Sequence, residues 1–226
     1  MKKGFLCLLL ALVLTGCSRE VVSATGPTET IPAVSAPLET ADFEEPADGD
    51  LVRILDYIPT ARQELRYATA DNFTKQVIYD FEDAWLRYGT VKKLMAVSAD
   101  LEEMGLYLKI WDGFRPVSAQ FTLWEACPDP AYVADPNNGF SSHSRGNTVD
   151  LTIVDRDGRD FPMPTDFDDF SARADRNYED CSEEEGNNAL ILELIMEKHG
   201  FTGYAKEWWH YSDTVSYPVE EGFQPQ

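Results

Sequence analysis

The chain has 226 residues, enough for one globular domain with extensions. Hydrophobic residues make up 43% of the sequence and aromatic residues 12%, which excludes an intrinsically disordered chain. The formal net charge is −21, with 40 acidic residues against 19 Lys and Arg, and this argues against nucleic-acid binding through phosphate contacts.

The first residues predict an export signal. Two lysines precede an apolar run at 5–14 that is too short to span a bilayer as a mature helix. The run ends in LTGC at 14–17, which resembles a bacterial lipobox. We therefore predict that residues 1–16 are a lipoprotein signal peptide and that Cys17 is lipidated, with an ordinary signal peptide as the alternative. Such a protein is extracytoplasmic and lipid-anchored to the bacterial membrane.

The rest of the chain divides into three parts. Residues 17–48 are rich in Thr, Pro, Ala, Ser and Glu without hydrophobic period, and predict a flexible tether. We place the folded domain at 49–217 and a C-terminal tail at 218–226. The domain holds Cys127 and Cys181, which could form a disulfide in an exported protein or remain two buried free thiols.

Periodicity within the domain predicts helices alternating irregularly with strands. We expect a helix at 91–104 stopped by Gly105, a strand at 106–111 and a helix at 118–126. A further helix begins after Ser182, with Glu185 completing a capping box and Gly200 ending the helix. Its predicted apolar face consists of Leu190, Ile191, Leu194 and Ile195. These elements indicate an α+β fold with a central antiparallel sheet flanked by helices.

A strand at 148–154 carries an acid. Val149, Leu151 and Ile153 point to one side, whereas Asp150 lies between two threonines on the other side. A carboxylate on the polar face of a core strand is well placed to line a cleft.

Two of the three histidines stand in dense polar motifs. His143 lies within SSHSRGNTVD at 141–150, and His210 ends EWWH at 207–210. Two imidazoles and the Asp150 carboxylate suit zinc, with a fourth position left for water. Glu207 could accept a proton from that water, provided the segment bends or bulges to bring it beside His210. His199 falls in the last turn of a helix and receives no catalytic role.

These motifs resemble the VanX-type D-alanyl-D-alanine dipeptidases, which are zinc peptidases related to D,D-carboxypeptidases. The family pattern is Ser-x-His-x-x-Gly-x-Ala-x-Asp, followed downstream by Glu-x-x-His. Further matches are YATADNFT at 67–74, WDGFRP at 111–116 and Phe167-Asp168, so the resemblance covers about 51–212.

The resemblance implies a single domain of the Hedgehog/DD-peptidase fold with one Zn²⁺ per chain. It implies His143, Asp150 and His210 as zinc ligands, Glu207 as catalytic acid/base and Arg115 as the group that stabilises the oxyanion. The alternative for Arg115 is a surface salt bridge after a turn.

Three further residues match substrate-binding positions of the family. They are Ser141, Tyr67 and Asp168, the last two facing the free amino end of the peptide. Asp166 or Asp169 could take the place of Asp168.

The implied reaction is hydrolysis of D-Ala-D-Ala to D-alanine outside the membrane, in cell-wall peptide turnover. Two departures from the family bear on it: Thr148 replaces Ala, and the stretch 116–141 is shorter, which could admit longer peptides. The alternatives are a D,D-carboxypeptidase that trims peptidoglycan stem peptides and a non-catalytic wall-peptide-binding lipoprotein.

Overall fold

The computed structural model describes residues 44–225. The predicted signal peptide, Cys17 and most of the tether lie outside these residues. Within 44–225 no helix combines the length and the apolar character needed to cross a membrane.

The described chain contains four α-helices and seven strands, together with three short 3₁₀ turns. The predicted helices and strands all form, with ends within three residues of the predicted ones. In chain order the elements are β1 (Leu51–Arg53), α1 (Ile54–Tyr57), β2 (Arg62–Gln63), β3 (Trp85–Arg87), α2 (Tyr88–Glu103), β4 (Tyr107–Asp112), α3 (Val117–Ala126), β5 (Thr148–Val154), α4 (Glu183–Lys198), β6 (Phe201–Tyr204) and β7 (Glu207–Asp213).

A five-stranded sheet forms the centre of the domain, in the order β2-β4-β5-β7-β6. All its pairs are antiparallel except the short edge strand β2, which runs parallel to β4. A separate antiparallel pair joins β1 to β3. The predicted α+β class with a central antiparallel sheet is therefore confirmed.

Central strand β5 is buried along its whole length, on both faces. Its apolar side chains join one continuous core with α2 and the aromatic residues of β7. The polar side chains on its other face are therefore also shielded from water, and they need partners within the protein. This requirement places Asp150 in a buried polar site.

Helix α4 has the predicted capping box but not the predicted apolar face. The Ser182 hydroxyl accepts a bond from the Glu185 amide (3.3 Å), and the Glu185 carboxylate accepts one from the Ser182 amide (2.7 Å). The buried positions are Ala189, Leu192 and Met196, and Ile195 packs partly buried against the core. Leu190 and Leu194 are 42% and 57% exposed, so the prediction was wrong for these two residues. Apolar residues occur on both sides of this helix, and its packing against α2 and β6 selects one of them.

Both ends of the described chain pack against the domain. The Tyr88 hydroxyl donates to Glu45 (2.8 Å), and Lys92 pairs with Asp48 (2.6 Å). At the other end the Glu220 amide donates to the Ser144 carbonyl (2.9 Å). Within residues 44–225, Cys127 and Cys181 are free thiols, so they do not form a disulfide with each other.

Candidate active site

A short 3₁₀ turn, Ser142–Arg145, presents His143. The Ser141 hydroxyl accepts a bond from the His143 amide (3.3 Å), and the turn ends at Gly146 in the left-handed region (φ +72°). The His143 Nδ1 lies 2.9 Å from the Gly113 carbonyl oxygen. A carbonyl only accepts, so Nδ1 carries the proton and Nε2 keeps its lone pair free to bind a metal.

Neighbouring strands present Asp150 and His210, which stand opposite each other on β5 and β7. The carboxylate of Asp150 lies 3.1 Å from His210 Nδ1 and 3.3 Å from His143 Nε2. The two imidazole nitrogens are 3.4 Å apart. Burial alone would raise the pKa of Asp150, but His143 and His210 hold it below its usual range, so the carboxylate is ionised.

This donor set fits a divalent cation. Asp150 Oδ1 is buried and, although it lies 3.1 Å from His210 Nδ1, it has no hydrogen bond of good geometry among residues 44–225. Ligand atoms of the three residues all lie within 4.8 Å of one another. Two neutral nitrogens and one carboxylate oxygen are the ligand types that zinc prefers at a catalytic site with an open position. His143, Asp150 and His210 could therefore hold a metal.

A bulge in β7 brings Glu207 to the same site. Tyr204 pairs with Glu207 and Gly203 with Tyr211, so the three residues between have no partner on β6. This is the bend that the spacing of Glu207 and His210 requires. The Glu207 carboxylate lies 3.4 Å from His210 Nδ1, and burial raises the pKa of Glu207 to about 7.

Arg115 is buried in a hydrogen-bond network rather than in a surface salt bridge. Its guanidinium donates twice to Asp112 (3.0 and 2.7 Å) and once to Gln120 (2.9 Å), and it lies 3.9 Å from the Asp150 carboxylate. The Tyr79 hydroxyl donates to the same Asp112 (2.7 Å). This network holds the guanidinium beside the ligand cluster.

Sequence reasoning missed Asp112 and Gln120 as partners of Arg115. Asp112 could have been identified from the sequence, because it lies in the motif 111–116, three residues before Arg115. Gln120 lies on helix α3 and carried no signal in the sequence.

Tyr67 and Asp168, the two residues predicted to face the free amino end of the substrate, contact each other. The Tyr67 hydroxyl donates to Asp168 Oδ1 (3.1 Å), while Asp168 Oδ2 is buried and has no hydrogen-bond partner within the described part of the chain. Asp168 adopts a left-handed backbone (φ 57°), and burial raises its pKa to about 7. By contrast, Asp166 is exposed and pairs with Arg66 (2.8 Å), and Asp169 bonds the Ser171 amide (2.7 Å).

A cavity of about 290 Å³ joins these side chains. The chain between Pro130 and Phe140 contributes part of its wall, where Tyr132 stacks on Phe170 with ring centroids 4.7 Å apart. The ring pair also borders a second cavity of about 280 Å³. His199 lies elsewhere, 2.6 Å from Asp100. All eight predicted site residues in the domain line the first cavity: Tyr67, Arg115, Ser141, His143, Asp150, Asp168, Glu207 and His210.

Comparison with known proteins identifies the family to which the chain belongs. Residues 48–223 match the model of the M15 peptidase family described as D-Ala-D-Ala dipeptidase. The D-alanyl-D-alanine dipeptidase of Escherichia coli is 37% identical over 172 residues, covering 75% of this chain and 89% of that protein. The enzyme of that name from Enterococcus faecalis is 34% identical over 175 residues (66% and 84%), and that from Streptomyces coelicolor 31% over 188 residues (73% and 91%). The chain therefore belongs to the D-Ala-D-Ala dipeptidase family of metallopeptidases.

Proposed function

We propose that this metallopeptidase uses one zinc ion per chain to hydrolyse D-Ala-D-Ala to two molecules of D-alanine outside the cytoplasmic membrane, in cell-wall peptide turnover. The observation that carries the proposal is the His143–Asp150–His210 cluster with Glu207 3.4 Å from His210 Nδ1. Relatives named D-alanyl-D-alanine dipeptidase, at 31–37% identity, support the choice of substrate.

The three ligand residues would hold the zinc. His143 offers Nε2, His210 offers Nδ1 and Asp150 offers a carboxylate oxygen. Bound there, zinc would act as a Lewis acid and lower the pKa of a coordinated water to about 7. The hydrogen bond from His143 Nδ1 to the Gly113 carbonyl fixes the tautomer that this role needs.

Glu207 serves as the proton carrier. As a carboxylate it accepts a proton from the attacking water, and as the acid it returns that proton to the nitrogen of the leaving D-alanine. A pKa raised by burial to about 7 suits a group that must both accept and donate near neutral pH.

Arg115 and Asp168 bind opposite charges on the reacting dipeptide. The Arg115 guanidinium, fixed by Asp112 and Gln120, would stabilise the oxyanion that develops on the scissile carbonyl. The Asp168 carboxylate, which lines the cavity and is held by the Tyr67 hydroxyl, would accept a hydrogen bond from the substrate ammonium. This pairing would make hydrolysis depend on a free amino end.

Substrate profiling tests the reaction class. We expect the purified protein with zinc to release D-alanine from D-Ala-D-Ala but not from an acyl-capped pentapeptide ending in D-Ala-D-Ala. Cleavage of the capped peptide alone would show a D,D-carboxypeptidase.

The stacked Tyr132–Phe170 pair separates the site cavity from the second cavity. Tyr132→Ala should therefore admit longer uncapped peptides.

Substitution of the proposed base separates an enzyme from a binding protein. Glu207→Ala should lower kcat by about 10²- to 10⁴-fold, the usual contribution of a general base. Glu197→Ala, on the exposed side of α4, is the matched control and should leave kcat unchanged. Equal turnover by Glu207→Ala and the wild type would overturn the mechanism.

Metal removal tests the cofactor. Chelation should abolish dipeptide hydrolysis, and one equivalent of zinc should restore it. Activity that survives complete removal of metal would contradict the assignment of His143, Asp150 and His210 as ligands of a catalytic ion.

The lipobox-like sequence at 14–17 supports the extracytoplasmic part of the proposal. In bacteria making the full chain, labelled palmitate should be incorporated, and Cys17→Ser should abolish the label and release the protein from the membrane fraction. Incorporation that persists in the Cys17→Ser variant would refute lipidation at this residue.

A further inference from the structure

Arg176 makes an unusually complete set of contacts around the β7 bulge. Its Nε donates to the Tyr204 carbonyl (2.9 Å), and its Nη2 donates to the carbonyls of Trp208 and His210 (both 2.9 Å). Its Nη1 donates to the Tyr211 hydroxyl (3.2 Å) and pairs with Glu193 (3.1 Å). The guanidinium therefore makes four hydrogen bonds and one ion pair.

These contacts lie where the pairing of β7 with β6 is interrupted. The bulge leaves Trp208, Trp209 and His210 without partners on β6, and buried carbonyl groups without donors are costly. Arg176 supplies donors to two of them and spans the bulge from Tyr204 to Tyr211. Its own amide donates to Ala205 (3.1 Å), which fixes the tight turn just before Glu207.

The bulge is the feature that brings Glu207 and His210 together. Residues three apart face opposite sides of a regular strand, so their 3.4 Å approach exists only while the bulge keeps its shape. A group that fixes the carbonyls of Trp208 and His210 also fixes the direction of the His210 side chain. Arg176 itself does not line the site cavity.

We propose that Arg176 is a positioning residue that clamps the β7 bulge and thereby sets the orientation of His210 for metal binding and of Glu207 for catalysis. The inference rests on the proposed zinc site. The proposed role requires a guanidinium group, because its planar fork can contact all five acceptors at once. A lysine ammonium has only three donors and no such fork.

Gly203 provides independent evidence for the clamp. A Cβ at this position would lie 2.2 Å from Arg176 Cζ, so the close approach of the guanidinium to β6 depends on glycine. The guanidinium also lies over the Tyr211 ring, 4.3 Å from its centroid, and its side chain is only 10% exposed. Gly203→Ala should therefore displace the clamp while leaving Arg176 in the sequence.

Zinc affinity tests the clamp without relying on activity. The dissociation constant is measured by competition with a chromogenic chelator, and the site geometry by the visible spectrum of the Co²⁺-loaded protein. Arg176→Lys and Gly203→Ala should each weaken zinc binding by about 10- to 100-fold, as substitutions behind metal ligands do, and should alter the Co²⁺ spectrum. Arg173→Lys, which changes an exposed arginine paired with Glu185, should alter neither.

A second control separates positioning from general stability. Val97→Ala opens a space in the core on α2, away from the metal site, and lowers stability without touching β7. It should keep wild-type zinc affinity at a temperature where all variants are folded. Equal losses of affinity in Val97→Ala and Arg176→Lys would overturn the inference, as would unchanged affinity in Arg176→Lys. Absence of zinc binding in the wild type would overturn the zinc site together with this inference.

Discussion

Arg115 and Asp112 form a buried ion pair whose energetics depend on both partners. Asp112 is fully buried and accepts two bonds from Arg115, one from Tyr79 and one from the Gly113 amide. Arg115→Met would leave the carboxylate without its counter-ion, so we expect the free energy of unfolding to fall by about 3–5 kcal/mol. Urea unfolding of the chelator-treated protein measures this loss.

Adding Asp112→Asn to Arg115→Met should recover part of that loss, because the uncompensated charge is removed. An exposed pair provides the control: Arg159→Met, which breaks a contact with Asp155, should cost less than about 1 kcal/mol. A double variant no more stable than Arg115→Met would contradict the account of an uncompensated charge.

Asp168 makes stability depend on pH. Its folded pKa is raised to about 7, above the ordinary value of 3.8, because burial disfavours the charged form. Folding therefore becomes less favourable as the pH rises from about 4 to about 7, where the folded state must lose the proton. Asp168→Asn removes that penalty. Its free energy of unfolding should exceed that of the wild type at pH 8 by up to about 4 kcal/mol, at 1.36 kcal/mol per pKa unit.

The gain from Asp168→Asn should shrink at pH 5, because the folded state then keeps its proton and the pH lies only slightly above the unfolded pKa of 3.8. The neighbouring Asp166→Asn, at an exposed carboxylate, should show no such dependence on pH. Urea titrations of the chelator-treated protein at the two pH values make the comparison. A difference independent of pH would show that Asp168 is already ionised at low pH in the folded state.

At the scale of elements, helix α4 shows what hydrophobic pattern can and cannot predict. Its ends are set by local chemistry, a capping box at Ser182 and a left-handed Gly200 (φ +86°), so they could be predicted from the sequence. Its buried face could not, because apolar residues surround the helix and the choice depends on α2 and β6. Strand β5 had a clear alternation, and its predicted bounds agree with the structure.

A matched pair of leucines tests the corrected face of α4. Leu192→Ala, at a fully buried position, should lower the free energy of unfolding by about 2–5 kcal/mol through the lost contacts and the cavity left behind. Leu194→Ala, at a 57% exposed position, should change it by less than about 0.5 kcal/mol. Equal losses of stability in thermal or urea unfolding would contradict the corrected face and indicate that Leu194 is part of the core.

At the scale of the whole molecule, the site combines short motifs that the sequence shows with distant contacts that it does not. His143 and Asp150 lie seven residues apart and Glu207 and His210 three apart, so each pair could be recognised as a unit. Arg176 acts through backbone carbonyls of another segment, which have no signature in residue type. Gln120 and Gly113 likewise contact Arg115 and His143 only because the chain brings β4, α3 and the His143 turn together.

The C-terminal segment is a further whole-molecule feature, because it packs beside both motifs. Phe223 contacts the rings of Trp85 and Phe114 (centroids 5.0 and 5.6 Å apart), and Phe114 precedes Arg115. Glu220 bonds the carbonyl of Ser144, next to His143, and pairs with Arg87 (3.3 Å).

A chain ending at residue 217 should therefore lose both stability and zinc affinity. Loss of the Phe223 ring alone removes packing worth about 1–3 kcal/mol, and the missing Glu220 contacts release the turn that carries His143. A chain ending at 223, which keeps these contacts, is the control and should match the full chain in thermal unfolding and in chelator competition. If both truncated chains bind zinc as the full chain does, the packing of this segment supports the fold of the domain but not the geometry of the metal site.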